Sequence, residues 1–284
     1  MLAFDGPARQ ALLPDLVSRE NLMSAISYNS WSFNGAVLIG PAIAAGLLPV
    51  IGIAGSFYLN AVSFGAVLAA LALLRVKEGV LPLGSARENL IEGLRYVRKS
   101  PTILSLILMA AVVSLLGRSY GQLMPVFARD FLGLDASGMS IMYTAAGLGA
   151  CVGALVLIVL HNPKGKSLMA VGAGLAFAVT LGAFSLSRSV GVSLVFLFLM
   201  GFLLIVFSTS VTALLQITAP QHLRGRVMSV YTLGWQGLEY VGVMAIGGLA
   251  TAWSAPPAVL GAAAVVGLTV LGLALVRGEL LRIE

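Results

Sequence analysis

The strongest constraint on this chain is where its charges are missing. Residues 21–74 contain no Asp, Glu, Lys or Arg. Further charge-free runs cover 136–163, 167–187, 189–223 and 240–276. A helix that crosses the hydrocarbon core needs about 20 mostly apolar residues, so each run has room for one or two crossings. Strands of a membrane barrel are ~10 residues of alternating polarity, and these runs are longer and uniformly apolar. The pattern predicts an all-α membrane protein, a polytopic helical bundle. Only 10% of the residues are charged, against roughly 25% in soluble domains.

About eight transmembrane helices are expected, over 22–48, 53–74, 102–127, 137–160, 167–187, 190–216, 227–252 and 256–276. The breaks between them carry turn chemistry: Pro49-Val-Ile-Gly52, His161-Asn-Pro-Lys-Gly165, Ala219-Pro-Gln-His-Leu-Arg-Gly225 and Ser254-Ala-Pro-Pro257. Numbering the loops alternately sorts the 17 Lys and Arg residues. One side takes Arg9, Arg19 and the basic residues of 75–100, 164–166, 224–226 and 277–282. The other takes only Arg129 and Arg188, and Arg118 falls inside a span. Positive loops stay in the cytoplasm, so a multi-pass membrane protein is expected, with both termini cytoplasmic. The net charge of +6 then belongs to short loops and not to a nucleic-acid surface. The chain's solvent is the lipid bilayer.

Residues 75–100 form the longest polar stretch and read as a cytoplasmic linker. Ser85-Ala-Arg-Glu88 has the spacing of a capping box. Leu90, Ile91, Leu94 and Val97 fall on one helical face, among Arg87, Glu88, Glu92, Arg95 and Arg98. This amphipathic helix has two readings: it lies on the membrane surface, or it packs on the cytoplasmic end of the bundle.

Two ionisable side chains sit deep in spans. Arg118 is ~24 Å from the cytoplasmic end of 102–127 at 1.5 Å per residue, and Glu239 is near the middle of 227–252. Such groups are costly in lipid unless they meet water or a partner, and they mark candidate pathways for substrate or protons. Ser114, Arg118 and Gln122 share a helical face, as do Thr232, Trp235, Gln236 and Glu239. The alternative role for Arg118 and Glu239 is an ion pair that only fixes packing. In the first span, Ser27, Ser30, Trp31 and Asn34 form a polar stripe. It either lines an aqueous cavity or makes hydrogen bonds between helices. Tyr143, Gln216 and Tyr240 are weaker candidates. Small residues mark close helix contacts or hinges: Gly35, Ala36, Gly40, Ala44 and Ala45 with Pro41 beside them, and Gly149-x-x-x-Gly153.

Enzyme chemistry is not expected. No phosphate-binding Gly-x-x-x-x-Gly-Lys-Ser/Thr occurs, and the two histidines, His161 and His222, lie far apart in loops. No cluster has metal-ligand spacing, so neither a metal nor another cofactor is expected. Cys151 is the single cysteine and reads as a packing residue. Met1-Leu-Ala-Phe runs at once into Asp5 and Pro7, which is no cleavable leader. No pattern assigns an oligomeric state.

Several segments resemble the major facilitator superfamily, specifically its bacterial enterobactin-exporter-like efflux branch. Ala3–Val17 is similar to that branch's loop after the fourth helix. Gly40-Pro-Ala-Ile-Ala-Ala-Gly46 resembles the Gly-Pro motif of the fifth helix of exporters, with Ala36 and Ala44 where drug–proton antiporters carry glycine. Asn162-Pro-Lys-Gly-Lys166 resembles a worn basic loop motif, and Pro220–Ser229, with Arg224, Gly225 and Arg226, the loop before helix eleven. The resemblance implies helices five to twelve of twelve, an N-terminally truncated transporter. Residues 1–74 would be the remnant of the N-terminal half, 75–100 the linker and 101–284 a six-helix half with an internal 3+3 inverted repeat. It implies a secondary transporter that exports a small organic molecule (drug, siderophore or metabolite), with protons as the coupling ion. The alternative is a non-transporting membrane fragment or structural subunit.

Overall fold

The computed structural model describes residues 22–73, 86–160, 165–220 and 223–276, and parts of the helices with their side chains. Among the described residues the regular elements are helices. A chain surrounded by lipid must satisfy its backbone polar groups within each segment, and a helix does so. Two compact units result, Met1–Leu83 and Gly84–Glu284.

The first unit contains α1, Leu22–Leu73, in which two helices run together across Gly52. Gly52 has φ 67° and ψ −179°, a conformation that glycine reaches without steric cost. The expected break at Pro49–Gly52 therefore narrows to one residue.

The second unit begins with α2, Ala86–Lys99, and continues through α3 (Pro101–Val112) and α4 (Tyr120–Val126). π-helical turns follow each of the last two, at Val113–Gly117 and Phe127–Phe131. Then come α5 (Ala136–Leu160), α6 (Lys166–Leu186) and α7 (Val190–Thr218). A further crossing is made of α8 (Arg224–Thr232), a π-helical turn (Leu233–Gly237) and α9 (Leu238–Trp253), and α10 (Ala255–Val276) closes the unit. The predicted spans from 102 onward coincide with these helices to within a few residues.

Five helical stretches among the described residues are long and apolar enough to cross a membrane: Pro101–Phe131, Ser137–Leu157, Lys166–Leu186, Val190–Thr218 and Ala255–Val276. The expected span 53–74 contributes a shorter apolar stretch, Ala54–Ala70. The α8–α9 crossing is not among the five. It is continuous helix, but Arg224, Arg226, Gln236 and Glu239 dilute its apolar content.

The breaks have local causes. Gly165 takes a left-handed φ of 76° before α6. Ala219 is extended, as the residue before Pro220 must be. Ser254 turns between α9 and α10 with φ 85°. The core of the unit is built from Phe127, Phe177, Phe184 and Phe207 with Met109, Met142 and Met200, all fully buried.

Two sets of contacts tie together helix ends of this unit. At one end α2 packs on the start of α8, where a Cβ on Gly93 would press on the backbone carbonyl of Arg226, and the Arg226 guanidinium pairs with Glu92. Val97 is buried there, while Ile91 and Leu94 are 44% and 39% exposed. The helix therefore packs on the bundle through Gly93 and Val97 and leaves part of its apolar face outside. At the other end the guanidinium of Arg188 sits 4.9 Å from the centre of the Phe131 ring.

Candidate functional site

Two crossings, Pro101–Phe131 and α8–α9, bring the intramembrane charges together. Each contains a π-helical turn where they meet, at Val113–Gly117 and Leu233–Gly237. A π turn widens the helix by one residue and recurs at functional positions. Arg118 closes the first such turn, its N–H bonding the Val113 carbonyl five residues back at 3.0 Å. The close crossing depends on Gly242, since a Cβ there would collide with the Leu115 carbonyl.

The guanidinium of Arg118 is the hub. Its Nη1 donates to Glu239 Oε2 at 2.8 Å and to the Trp235 carbonyl at 3.2 Å. Its carbon lies 5.0 Å from the centre of the Trp235 ring, a cation–π distance. The Ser114 hydroxyl donates to the same Trp235 carbonyl at 2.5 Å. Trp235 is held in turn by Tyr231, stacked at 6.1 Å and 16°, and by Phe207 at 6.2 Å. Thr212 on α7 donates to the Tyr231 hydroxyl at 3.2 Å.

The side chains of Arg118 and Glu239 keep 26% and 23% of their exposure. The pair is thus neither sealed in the core nor free in solvent. The chemistry available is ion pairing and hydrogen bonding between two helices of the bundle.

The other predicted residues fall in different places. Gln122 and Gln236 are exposed. The i, i+4, i+8 stripe through Ser114, Arg118 and Gln122 assumes regular α winding. After the π turn, Gly121 and Gln122 instead bond carbonyls three residues back, and this tighter winding swings Gln122 outward. Tyr143 has a backbone role: its hydroxyl donates to the Gly121 carbonyl at 2.9 Å, which Pro125 cannot serve because it has no N–H. Tyr240 and Gln216 are exposed. Gly149 and Gly153 face the carbonyls of Phe198 and Phe202 on α7, where a side chain would collide. Gly40 stands exposed, with nothing within 4 Å of an added Cβ. Trp31, Asn34 and Pro41 lie in α1, with side chains outside the described set. Arg224 and Gly225 are exposed at the start of α8, and Arg226 makes the pair with Glu92. Sequence reasoning missed Gly242. Its signal was the spacing Trp235, Glu239, Gly242 on one helical face.

These features define a polytopic α-helical membrane protein whose polar contacts lie between helices. The family model described as "transmembrane secretion effector" matches residues 2–283. The chain belongs to that family, within the major facilitator superfamily. It is 28% identical over 261 residues to the enterobactin exporter EntS of Shigella flexneri, covering 92% of this chain and 61% of that protein. Against the enterobactin exporter EntS of Escherichia coli O139:H28 the figures are 27% over 266 residues, 93% and 63%. The chain spans about three fifths of the length of these curated relatives.

Proposed function

We propose that this chain serves a secondary transporter that moves a small organic molecule out of a bacterial cell by alternating access. The observation that carries the reading is the Arg118–Glu239 pair, held at 2.8 Å and about a quarter exposed between two π-helical turns. Ionisable groups are kept at such depth where they handle ions or substrate. Proton binding at Glu239 would loosen its hold on Arg118 and bias the two crossings between two arrangements, as alternating access requires.

Residues 1–74, 75–100 and 101–284 would then be part of the N-terminal half, the linker and the C-terminal half. The basic loops would face the cytoplasm, with both termini on that side of the inner membrane. The relatives' printed function supports a siderophore-like cargo. Gln122, Gln236 and Trp235, with Trp31 and Asn34 from α1, are proposed to line its path. Gly40 and Pro41 would serve as a hinge, and Gly149 and Gly153 as close helix packing.

The test is an efflux assay in cells expressing the gene, using a panel of siderophores and fluorescent amphiphiles, with the proton gradient intact or collapsed. Glu239→Gln should abolish gradient-dependent efflux while membrane abundance stays normal. Efflux that is gradient-dependent and unchanged in that variant overturns the coupling role.

A further inference from the structure

We infer that α2 carries a binding site for the headgroups of anionic phospholipids. Three cations, Arg95, Arg98 and Lys99, stand exposed on the last two turns of the helix. The nearby acid, Glu92, is already paired with Arg226, so it does not neutralise them. Ile91 and Leu94 are exposed beside them at 44% and 39%. Two adjoining hollows share Ile91, Arg95 and Lys99; Glu92, Tyr96 and Leu223 border the first, Leu94 and Arg98 the second.

The depth of this patch is set by the chain. α2 ends at Lys99, and the first membrane-spanning stretch of the unit starts at Pro101, with only Ser100 between them. Arg98 and Lys99 therefore sit at the level where a bilayer presents its phosphates. A solvated helix has no use for two large apolar side chains beside three exposed cations. A helix at the interface does: the apolar pair enters the acyl boundary and the cations meet anionic headgroups. Arginine matches a phosphate with a planar pair of donors, and lysine adds a point charge. The position at the head of a membrane crossing favours lipid over a soluble anion.

The inference does not depend on transport, and its test reads lipid binding. The purified, delipidated full chain is titrated with phosphatidylglycerol or phosphatidylcholine and followed by native mass spectrometry. The wild-type chain should prefer phosphatidylglycerol. Each lost cation should weaken that preference roughly fivefold, so R95Q/R98Q/K99Q should lose roughly a hundredfold. R95K/R98K should keep it. Arg129→Gln, near the Phe131 end of the bundle, should leave it unchanged. If the triple variant fails the circular dichroism or size-exclusion check, the exposed single substitutions Arg98→Gln and Lys99→Gln should each still show a several-fold loss. Full phosphatidylglycerol preference in the folded variants overturns the inference. So does displacement of the lipid by millimolar inorganic phosphate, or a wild-type dimer that dissociates in the triple variant, which would make the patch a contact between copies.

Discussion

Two helix contacts in the Gly84–Glu284 unit solve the same problem in opposite ways. Where α5 meets α7, Gly149, Gly153 and Gly201 let the backbones touch, and a Cβ at any of them would run into a carbonyl of the facing helix. Where Pro101–Phe131 meets α8–α9, glycine is used once, at Gly242, and the rest of the contact is polar: Ser114, Arg118, Trp235 and Glu239. The first contact is a fit of shapes with one good register. The second is a set of directional bonds that can be broken singly and remade. Only the second has the makings of a moving joint.

The comparison is broken most severely at the dry seam. Gly201→Val puts a branched side chain against the Ala146 carbonyl, and Gly149→Val does the same at Phe198. Backbone cannot yield as a side-chain tip can. Each variant should lose about 3 kcal/mol, the upper range for overpacking. A fall in the melting midpoint and in the monodisperse fraction after detergent extraction checks this. Midpoints within a degree of wild type would show that the seam is looser than its geometry.

The polar joint should respond less in stability and more in function. Removing one partner of a fully buried pair costs about 3–5 kcal/mol, and an exposed pair is worth at most about 1. With each side chain about a quarter exposed, Arg118→Leu should cost about 2 kcal/mol. A double-mutant cycle with Glu239→Gln should return a coupling of about 1 kcal/mol. Zero coupling in thermal denaturation would make the ion pair incidental to packing.

How far the sequence reached follows the same division. The crossings were legible because lipid tolerates little but apolar helix, and the Gly149–Gly153 spacing named its own face. Arg118 and Glu239 stood out as ionisable groups in apolar runs. Their pairing was one of two open readings, since no periodicity links positions that far apart and could decide it. The π-helical turns left no trace because Val113–Gly117 and Leu233–Gly237 have the composition of ordinary helix. That is why Gln122 was expected beside Arg118 and emerged exposed. α2 was half legible: its amphipathic spacing was plain, but only the structure shows Gly93 and Val97 against the bundle and Ile91 and Leu94 outside.

A finer probe of the joint is Ser114→Ala. It deletes one of two side-chain donors to the Trp235 carbonyl and leaves Arg118 Nη1 as the other. Hydrogen bonds between membrane helices average about 0.6 kcal/mol, and the carbonyl is not orphaned, so the loss should stay near that value. The indole would gain freedom, read as a shift in tryptophan emission. A loss as large as that of Arg118→Leu would show that Ser114, and not the ion pair, anchors the crossing.

The smallest effect is expected at two helix starts that differ in chemistry. Before α5, the Asp135 carboxylate accepts from the Ser137 hydroxyl at 2.6 Å and the Gly138 N–H at 2.9 Å. Both bonds favour the charged form, the hydroxyl first, and hold Asp135 below its ordinary value of 3.8. A lowered folded-state value means that the cap is fully present above pH 3.8 and is lost as pH falls through the lower folded value. The start of α6 has Gly165 in the same place, with no side-chain cap, and has no such titration. Hydrogen exchange corrected for intrinsic rate should therefore speed up at 137–141 between pH 5 and about pH 2 and stay level at 167–171. Asp135→Ala should exchange at the fast rate at both values, and Asp135→Asn, which still accepts a hydrogen bond, should lose the pH dependence but keep most of the protection. Equal acid response at the two helix starts would mean that the change comes from the bundle and not from the cap.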